Sequence, residues 1–251
     1  MKRSGRELKH SENPIPKGNS KPSLKLDWCS RSSAEMAVMR WHYSKALPNP
    51  KSVYIGVWEN ARFIGVVIFG IGGGNATNGE KYGLSRFEMA ELERVALDRH
   101  NTPVSRIVSV AIRMLKKQSP KLKCLISYAD PAQNHHGGIY QAMNWVYTGT
   151  TPPGRGLKDS RGKIHHSRVV SDAGVNRQFG SMKKVRTWNS GTKIILPGKH
   201  RYLLALDDET RSRIEKLRKP YPKRAGSETV DTSGDQPEKG GSIPTPALQT
   251  L

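Results

Sequence analysis

Cysteine is nearly absent from this sequence: Cys29 and Cys124 are the only two in 251 residues. Two thiols cannot build a disulfide framework, and no CxxC pair exists to begin a zinc site, so a cytosolic chain with reduced thiols is expected. Long apolar runs are missing too. Phe63–Ile71 is among the longest, well short of the ~20 residues that span a bilayer. The N-terminus, MKRSGRELKHSENPIPKGNS, is basic but has no apolar stretch of the kind a secretion signal needs. Acidic side chains are scarce, with 21 Asp and Glu against 42 Lys and Arg, for a net charge of +21. Hydrophobic residues reach only 35%, which excludes a core running the whole length of the chain. The apolar runs within 52–150 nevertheless exclude full disorder. A folded centre with polar ends is the expectation.

The positive charge is concentrated. Residues 151–224 hold 19 basic and 6 acidic side chains, more than half of the excess in 74 residues. A field of this size attracts polyanions and makes their binding salt-sensitive. A membrane-surface protein would instead carry a basic amphipathic helix with Trp, Phe and Leu opposite the charge, and none is seen. Double-stranded DNA is therefore the expected partner, against the plainer reading of a basic face that only solubilises. Residues 1–23 read as a disordered basic arm and 225–251 as a disordered acidic tail.

Between these ends the pattern is regular. Ser32 and Ser33 precede AEMAVMRWHYS, a helix ended by LPNP. VYIGVW (53–58) and RFIGVVIFGI (62–71) read as a hairpin, and the GIGGGN run (70–75) as a flexible turn. ELERVAL (91–97) is a strand. Thr102-Pro103 reads as a capping hydroxyl with Pro at the first helical position. It opens a helix with Val104, Ile107, Val108, Ala111 and Leu115 in one stripe. CLISYA (124–129) is a buried strand, 133–143 a short helix, and WVYTGTT (145–151) a further strand. The order predicts an α/β fold with a mixed central sheet flanked by helices. Parallel pairing is expected between the strands at 91–97 and 124–129. The catalytic core is placed at 24–150, with 151–224 as a basic DNA-contacting extension.

Several residues carry chemistry by type and position. His42, at the end of the first helix, is a general-base candidate, although alone it reads as an ordinary surface histidine. Asp130 ends a strand at the edge where α/β ligands gather; alone it reads as an Asx turn set by Pro131. His42, Asp130 and His135 make a two-histidine, one-carboxylate set of the type that holds iron. Their separation in sequence gives no diagnostic spacing. Arg99, Ser105 and Arg106 at the helix start suit a phosphate. Arg155, Lys163, His165, Arg168, Lys199, Arg201 and Tyr202 are the candidate DNA contacts. An extruded base needs an aromatic to stack on; Trp41 and Tyr43 are candidates, whereas Trp145 reads as core.

The stretches ELERVALDRHNTPVSRIVSVAIRMLKK and CLISYADPAQNHHGGIYQAMNWVYTG resemble the GNAT acyltransferase superfamily. Within it WHYSKALPNPK, LERVALDRH, YADPAQNHHGGIYQAMNWVYTG and KIHHSRVV resemble the Mom proteins of phage Mu and related phages, over roughly 26–205. The resemblance implies a GNAT-like core and a transferase that converts adenine in phage DNA to N6-methylcarbamoyl adenine, blocking host restriction. It gives His42 and Tyr43 the amine, Tyr140 the leaving group, and Arg94 a place beside the donor. The superfamily's Gly-rich turn is replaced here by DRHNTPVSR, so acyl-coenzyme A, a glycine-derived donor such as glycyl-tRNA, and an iron-assisted route all stay open. An N-acetyltransferase acting on a protein or small amine, and a non-catalytic DNA-binding protein, are the alternatives.

Overall fold

The structure, a computed structural model, describes residues 22–48, 51–71, 79–178 and 181–224. The basic arm, the acidic tail and most of the GIGGGN turn lie outside the described residues.

Strand β1 (Leu24–Trp28), which the sequence pattern did not announce, precedes helix α1 (Arg31–Trp41). The N-cap of α1 is Ser30, whose hydroxyl accepts the amide of Ser33 at 3.1 Å. Then come β2 (Ser52–Glu59), β3 (Arg62–Gly70), β4 (Met89–Leu97), α2 (Val104–Gln118), β5 (Cys124–Ala129), α3 (Gly138–Ala142) and β6 (Val146–Thr150). The expected hairpin, parallel crossover and central helices are all present. β4 and β5 are the parallel pair.

The boundary drawn at 150 is corrected by the end of the chain. Strands β7 (Gly154–Lys158), β8 (Ile164–His166), β9 (Val175–Gln178), β10 (Ser181–Lys184) and β11 (Thr192–Leu196) form a lobe. After it, β12 (His200–Ala205) returns and inserts between β5 and β6. The seven-stranded sheet therefore runs β1-β2-β3-β4-β5-β12-β6, and the core cannot close without residues 200–205. Helix α4 (Asp208–Glu215) then packs on β12, capped by Asp207, which accepts the Thr210 amide at 2.8 Å. Tyr202 fills the core rather than facing a partner.

The two faces of the sheet are covered differently. On one, Val67, Phe69, Leu92 and Leu125 pack with Ile107, Val108, Ala111 and Leu115 of α2. With Val104, partly buried against the same cluster, these α2 residues are the stripe predicted from the 3.6-residue period. On the other, Val66, Ile68 and Ala96 pack with Ala34, Ala37 and Val38 of α1. Both faces being covered explains the near-continuous apolar run in β3. No helix among the described residues is long and apolar enough to cross a membrane.

Candidate active site

β4 and β5 pair for only three residues, Met89–Glu91 against Cys124–Ile126, and part beyond them. On its other edge β4 bulges: Ile68 pairs with Arg94 and Phe69 with Leu92, leaving Glu93 outside the ladder. Ser127 Oγ sits in the parting, 2.8 Å from the Leu92 carbonyl oxygen and 2.7 Å from the Tyr140 hydroxyl. Its single hydrogen serves one of them. Given to the phenol oxygen, it leaves the Tyr140 proton free to point away from Ser127. Burial pushes the Tyr140 phenol up to about 12 against the opposing pull of the Ser127 bond, so it keeps its proton. α3 carries Tyr140 close because Gly137 leaves space: a Cβ there would stand 2.4 Å from the Tyr202 ring. Gly137 also takes a left-handed φ of 86°.

Tyr140 belongs to the α2 face. His42, Tyr43, Arg94 and Glu93 come from the α1 face. Arg94 lies opposite Ile68, whose side chain packs on α1, and opposed residues share a face. The bulge turns Glu93 the same way. Its carboxyl occupies the room left by Gly70, where a Cβ would come within 2.5 Å of it, and accepts the Ser52 hydroxyl at 2.6 Å. Burial pushes Glu93 up to about 7; the Ser52 bond opposes the rise, Glu91 adds to it and Arg94 opposes it. Arg94 donates from Nη1 to its neighbour's carbonyl at 2.6 Å. Its buried Nε has no partner among the described residues.

His42 leaves α1 in an extended conformation and stacks on Tyr43 at 4.4 Å. Tyr43 meets His135 edge-on at 5.5 Å. Burial, then Arg94, His135 and Lys45, lower His42 to about 4, which leaves it neutral at physiological pH. Tyr43 is raised by burial and by Asp130, with Arg94 opposing. Tyr43 in turn raises Tyr140. These mutual effects bring His42, Tyr43, Arg94, Asp130, His135 and Tyr140 to one place. Trp41 is absent from it, packed beside Phe63 at 6.1 Å.

Asp130 reaches this place without bonding His42. One oxygen accepts the Ala132 amide at 3.0 Å, the Asx turn expected before Pro131, and the other pairs with Lys199 at 3.1 Å. This bears on the expected metal set. His42 Nδ1 already has Ser44 as its partner and Asp130 is neutralised by Lys199. Among the described residues no three His, Cys, Asp or Glu side chains are placed to hold a metal ion. The set does not fit iron.

On the α2 face an open cleft of about 450 Å³ is lined by Pro103, Ser105, Arg106, Ser109, Ala142 and Met143, among others. Ser105 and Arg106 were expected there. Arg99 is exposed on the preceding turn, its carbonyl accepting from Arg62. Arg94 lies on the other face. Thr102 does not cap α2. The buried Glu59 carboxylate accepts its amide at 2.7 Å, its hydroxyl at 2.6 Å and the Asn101 amide at 2.9 Å. The Asn101 and Thr102 amides of the turn before α2 are therefore committed to an internal carboxylate.

The lobe rises from the sheet end that carries Asp130. Thr151 and Lys199 join its two roots by a pair of 2.9 Å bonds. Arg155 lies over Trp188 at 5.7 Å, and Lys163 is exposed. His165 is corrected to a structural part: its Nε2 lies 2.8 Å from Asp159, a carboxylate that also takes Arg186 at 3.4 Å. Arg201 is fixed to Thr148 through Nε at 2.8 Å. The side chain of Arg168 lies outside the described residues.

Fold and site together define an α/β protein with a mixed sheet, in which two parting strands hold polar groups beside a cleft on the α2 face. The chain belongs to the Mom protein family, whose model matches residues 23–223. It is 24% identical over 213 residues to the methylcarbamoylase Mom of Escherichia phage Mu, covering 82% of this chain and 86% of that one. Among solved structures it is similar to FeeM, an N-acyl amino acid synthase from uncultured soil microbes (TM-score 0.43, 12% identity, 80% of this chain and 100% of the other). It is also similar to a Bacillus subtilis acetyltransferase in complex with CoA (TM-score 0.42, 12% identity, 74% and 100%).

Sequence reasoning missed Glu93, Ser52, Ser127 and Glu59. Glu93 and Arg94 read as opposite faces of a two-residue period, and only the bulge, set by the partner strand, turns them the same way.

Proposed function

We propose that this chain is a transferase acting on phage DNA, placing a methylcarbamoyl group on the exocyclic amine of adenine and so shielding the DNA from host restriction. One observation carries the reading: Tyr140 from one face of the sheet and His42, Tyr43 and Arg94 from the other converge where β4 and β5 part. Membership of the Mom family and the name of the phage Mu relative support the group transferred.

The target amine must leave the base stack to reach such a recess. Tyr43, 50% exposed above His42, is the surface on which the extruded purine stacks. Arg94 offers its unpartnered Nε–H to an acceptor on the substrate. Tyr140 protonates the leaving atom. The α2 cleft takes the donor, with the Arg106 guanidinium and Ser105 hydroxyl available to a phosphate. The donor is a coenzyme A thioester or a tRNA ester, and neither gains the turn amides that Glu59 holds. Arg155, Lys163 and Lys199 position the duplex through its phosphates.

Nucleoside mass spectrometry of DNA from cells expressing the chain tests this reading. The expected result is a modified deoxyadenosine heavier by the methylcarbamoyl group. Only unmodified deoxyadenosine, with intact protein present, overturns it.

A further inference from the structure

The imidazole of His42 is held in one tautomer. The backbone N–H of Ser44 lies 3.1 Å from His42 Nδ1, and the Ser44 hydroxyl lies 2.8 Å from the same atom. A backbone amide can only donate, so Nδ1 must present a lone pair. A neutral imidazole with a lone pair on Nδ1 carries its proton on Nε2. A further proton could enter only at Nδ1, breaking the Ser44 bond, and burial with three nearby cationic or cation-forming groups opposes that step. The nitrogen left to the site is therefore a donor, and the base must be sought elsewhere.

Glu93 has the required properties. Its carboxyl lies on the same face of the sheet as Arg94, at the bulge beside the parting of β4 and β5. It has no ion-pair partner at salt-bridge distance among the described residues, since Arg94 spends Nη1 on the Glu93 carbonyl. The groups acting on it are Glu91 and Arg94 from its own strand and the Ser52 hydroxyl from β2, while Gly70 of β3 leaves room for its carboxyl. Burial without a paired cation is how a carboxyl comes to titrate near neutrality.

We propose that Glu93 is the proton acceptor of the reaction and that His42 is a neutral hydrogen-bond donor to the carbonyl oxygen of the transferred group. The assignment rests on the transferase reading above. The donor it requires is a methylcarbamoyl ester or thioester, whose carbonyl carbon bears the leaving oxygen or sulfur and receives the adenine nitrogen. The adenine amine's lone pair forms the new N–C bond. The bond from that carbon to the leaving atom breaks, and its electron pair stays on the leaving atom, which takes the phenolic proton of Tyr140. One amine proton passes to Glu93. It returns to the Tyr140 phenolate through solvent as products leave, so both groups end as they began.

The test uses the full chain in two arms. ¹⁵N NMR of histidine-labelled protein is expected to find His42 protonated on Nε2 from pH 6 to 8, and ¹³C NMR to find the Glu93 carboxyl titrating near neutrality. Ser52→Ala should move that inflection upward, because the lost bond favoured the charged form. In cells, Glu93→Gln, which keeps a carbonyl for Ser52, should lower modified deoxyadenosine about 100-fold while melting temperature and duplex affinity hold. His42→Gln, which retains an N–H, should keep more activity than His42→Ala. A proton on Nδ1, or undiminished modification by Glu93→Gln, overturns the assignment alone. Unmodified DNA from wild-type cells overturns the transferase reading and the roles built on it.

Discussion

Glu59 shows how one buried side chain decides what a neighbouring site can bind. It is 4% exposed and its carboxylate accepts from two amides and one hydroxyl. Burial alone would raise its pKa, but the bonds from Thr102 and Asn101 and the charge of His100 hold it below the ordinary 4.5. A group depressed on folding contributes stability above its unfolded pKa and loses it as pH falls through the folded value. Glu59→Gln replaces charge-assisted bonds by neutral ones and leaves one amide facing an NH₂. It should cost about 2 kcal/mol at pH 7. Urea melts at pH 7 and pH 3 check both magnitude and sign: the gap between wild type and variant should narrow in acid. Arg94 makes the complementary case, since its buried unpartnered Nε is a cost on folding that a substrate acceptor would relieve. Arg94→Lys keeps the charge but loses the planar donor set. It should lower modification in cells at least about 10-fold with little change in melting temperature, measured by nucleoside mass spectrometry and thermal denaturation.

Elements set the limits of what could be read beforehand. The α2 stripe, the β2–β3 hairpin and the buried run CLISYA were legible because each announces itself within one window of sequence. β12 was not. HRYLLA is a good strand, but it lies in the most basic stretch of the chain, and its partners β5 and β6 lie about 50 to 80 residues earlier. Charge composition suggested an extension where topology required a central strand. Arg94, His42 and Asp130 were found as types and grouped by the family resemblance; the residue pattern alone could not group them, because the bulge and the Lys199 pairing depend on distant partners. The lobe has its own internal anchor, which yields a prediction at this scale. Asp159 accepts the amides of Arg161 and Lys163 at 3.0 Å and takes His165 and Arg186 as well. Its pKa falls to about 2, chiefly through His165. Asp159→Ala should therefore loosen β7, β8 and β11 while the seven-stranded sheet persists. Limited proteolysis should then cut within 155–195 and leave the core fragments associated; equal resistance to wild type would show that the lobe does not depend on this carboxylate.

At the scale of the molecule, the position of the charge matters more than its amount. Residues 151–206 carry 12 Lys and Arg and only two acids, Asp159 and Asp172, and Asp159 is buried under its own hydrogen bonds. The lobe surface is thus almost entirely cationic, and it is rooted by Thr151 and Lys199 at the sheet end where Asp130 and Tyr43 lie. A duplex held there would lie beside Asp130 and Tyr43. Bulk charge would attract DNA anywhere on the surface; a placed grip uses particular cations. The two differ in salt dependence, because each phosphate neutralised adds about 0.9 to the slope of log affinity against log salt. Arg155→Ala and Lys163→Ala should each reduce that slope by about 1 if they touch phosphates, whereas Lys25→Ala, exposed on the edge strand β1 far from the lobe roots, should leave it unchanged. Fluorescence-anisotropy titrations of a labelled duplex at four or five salt concentrations measure all three. Equal slopes for the three variants would mean that the lobe acts through net charge alone, and that its rooting beside the site has no part in holding DNA.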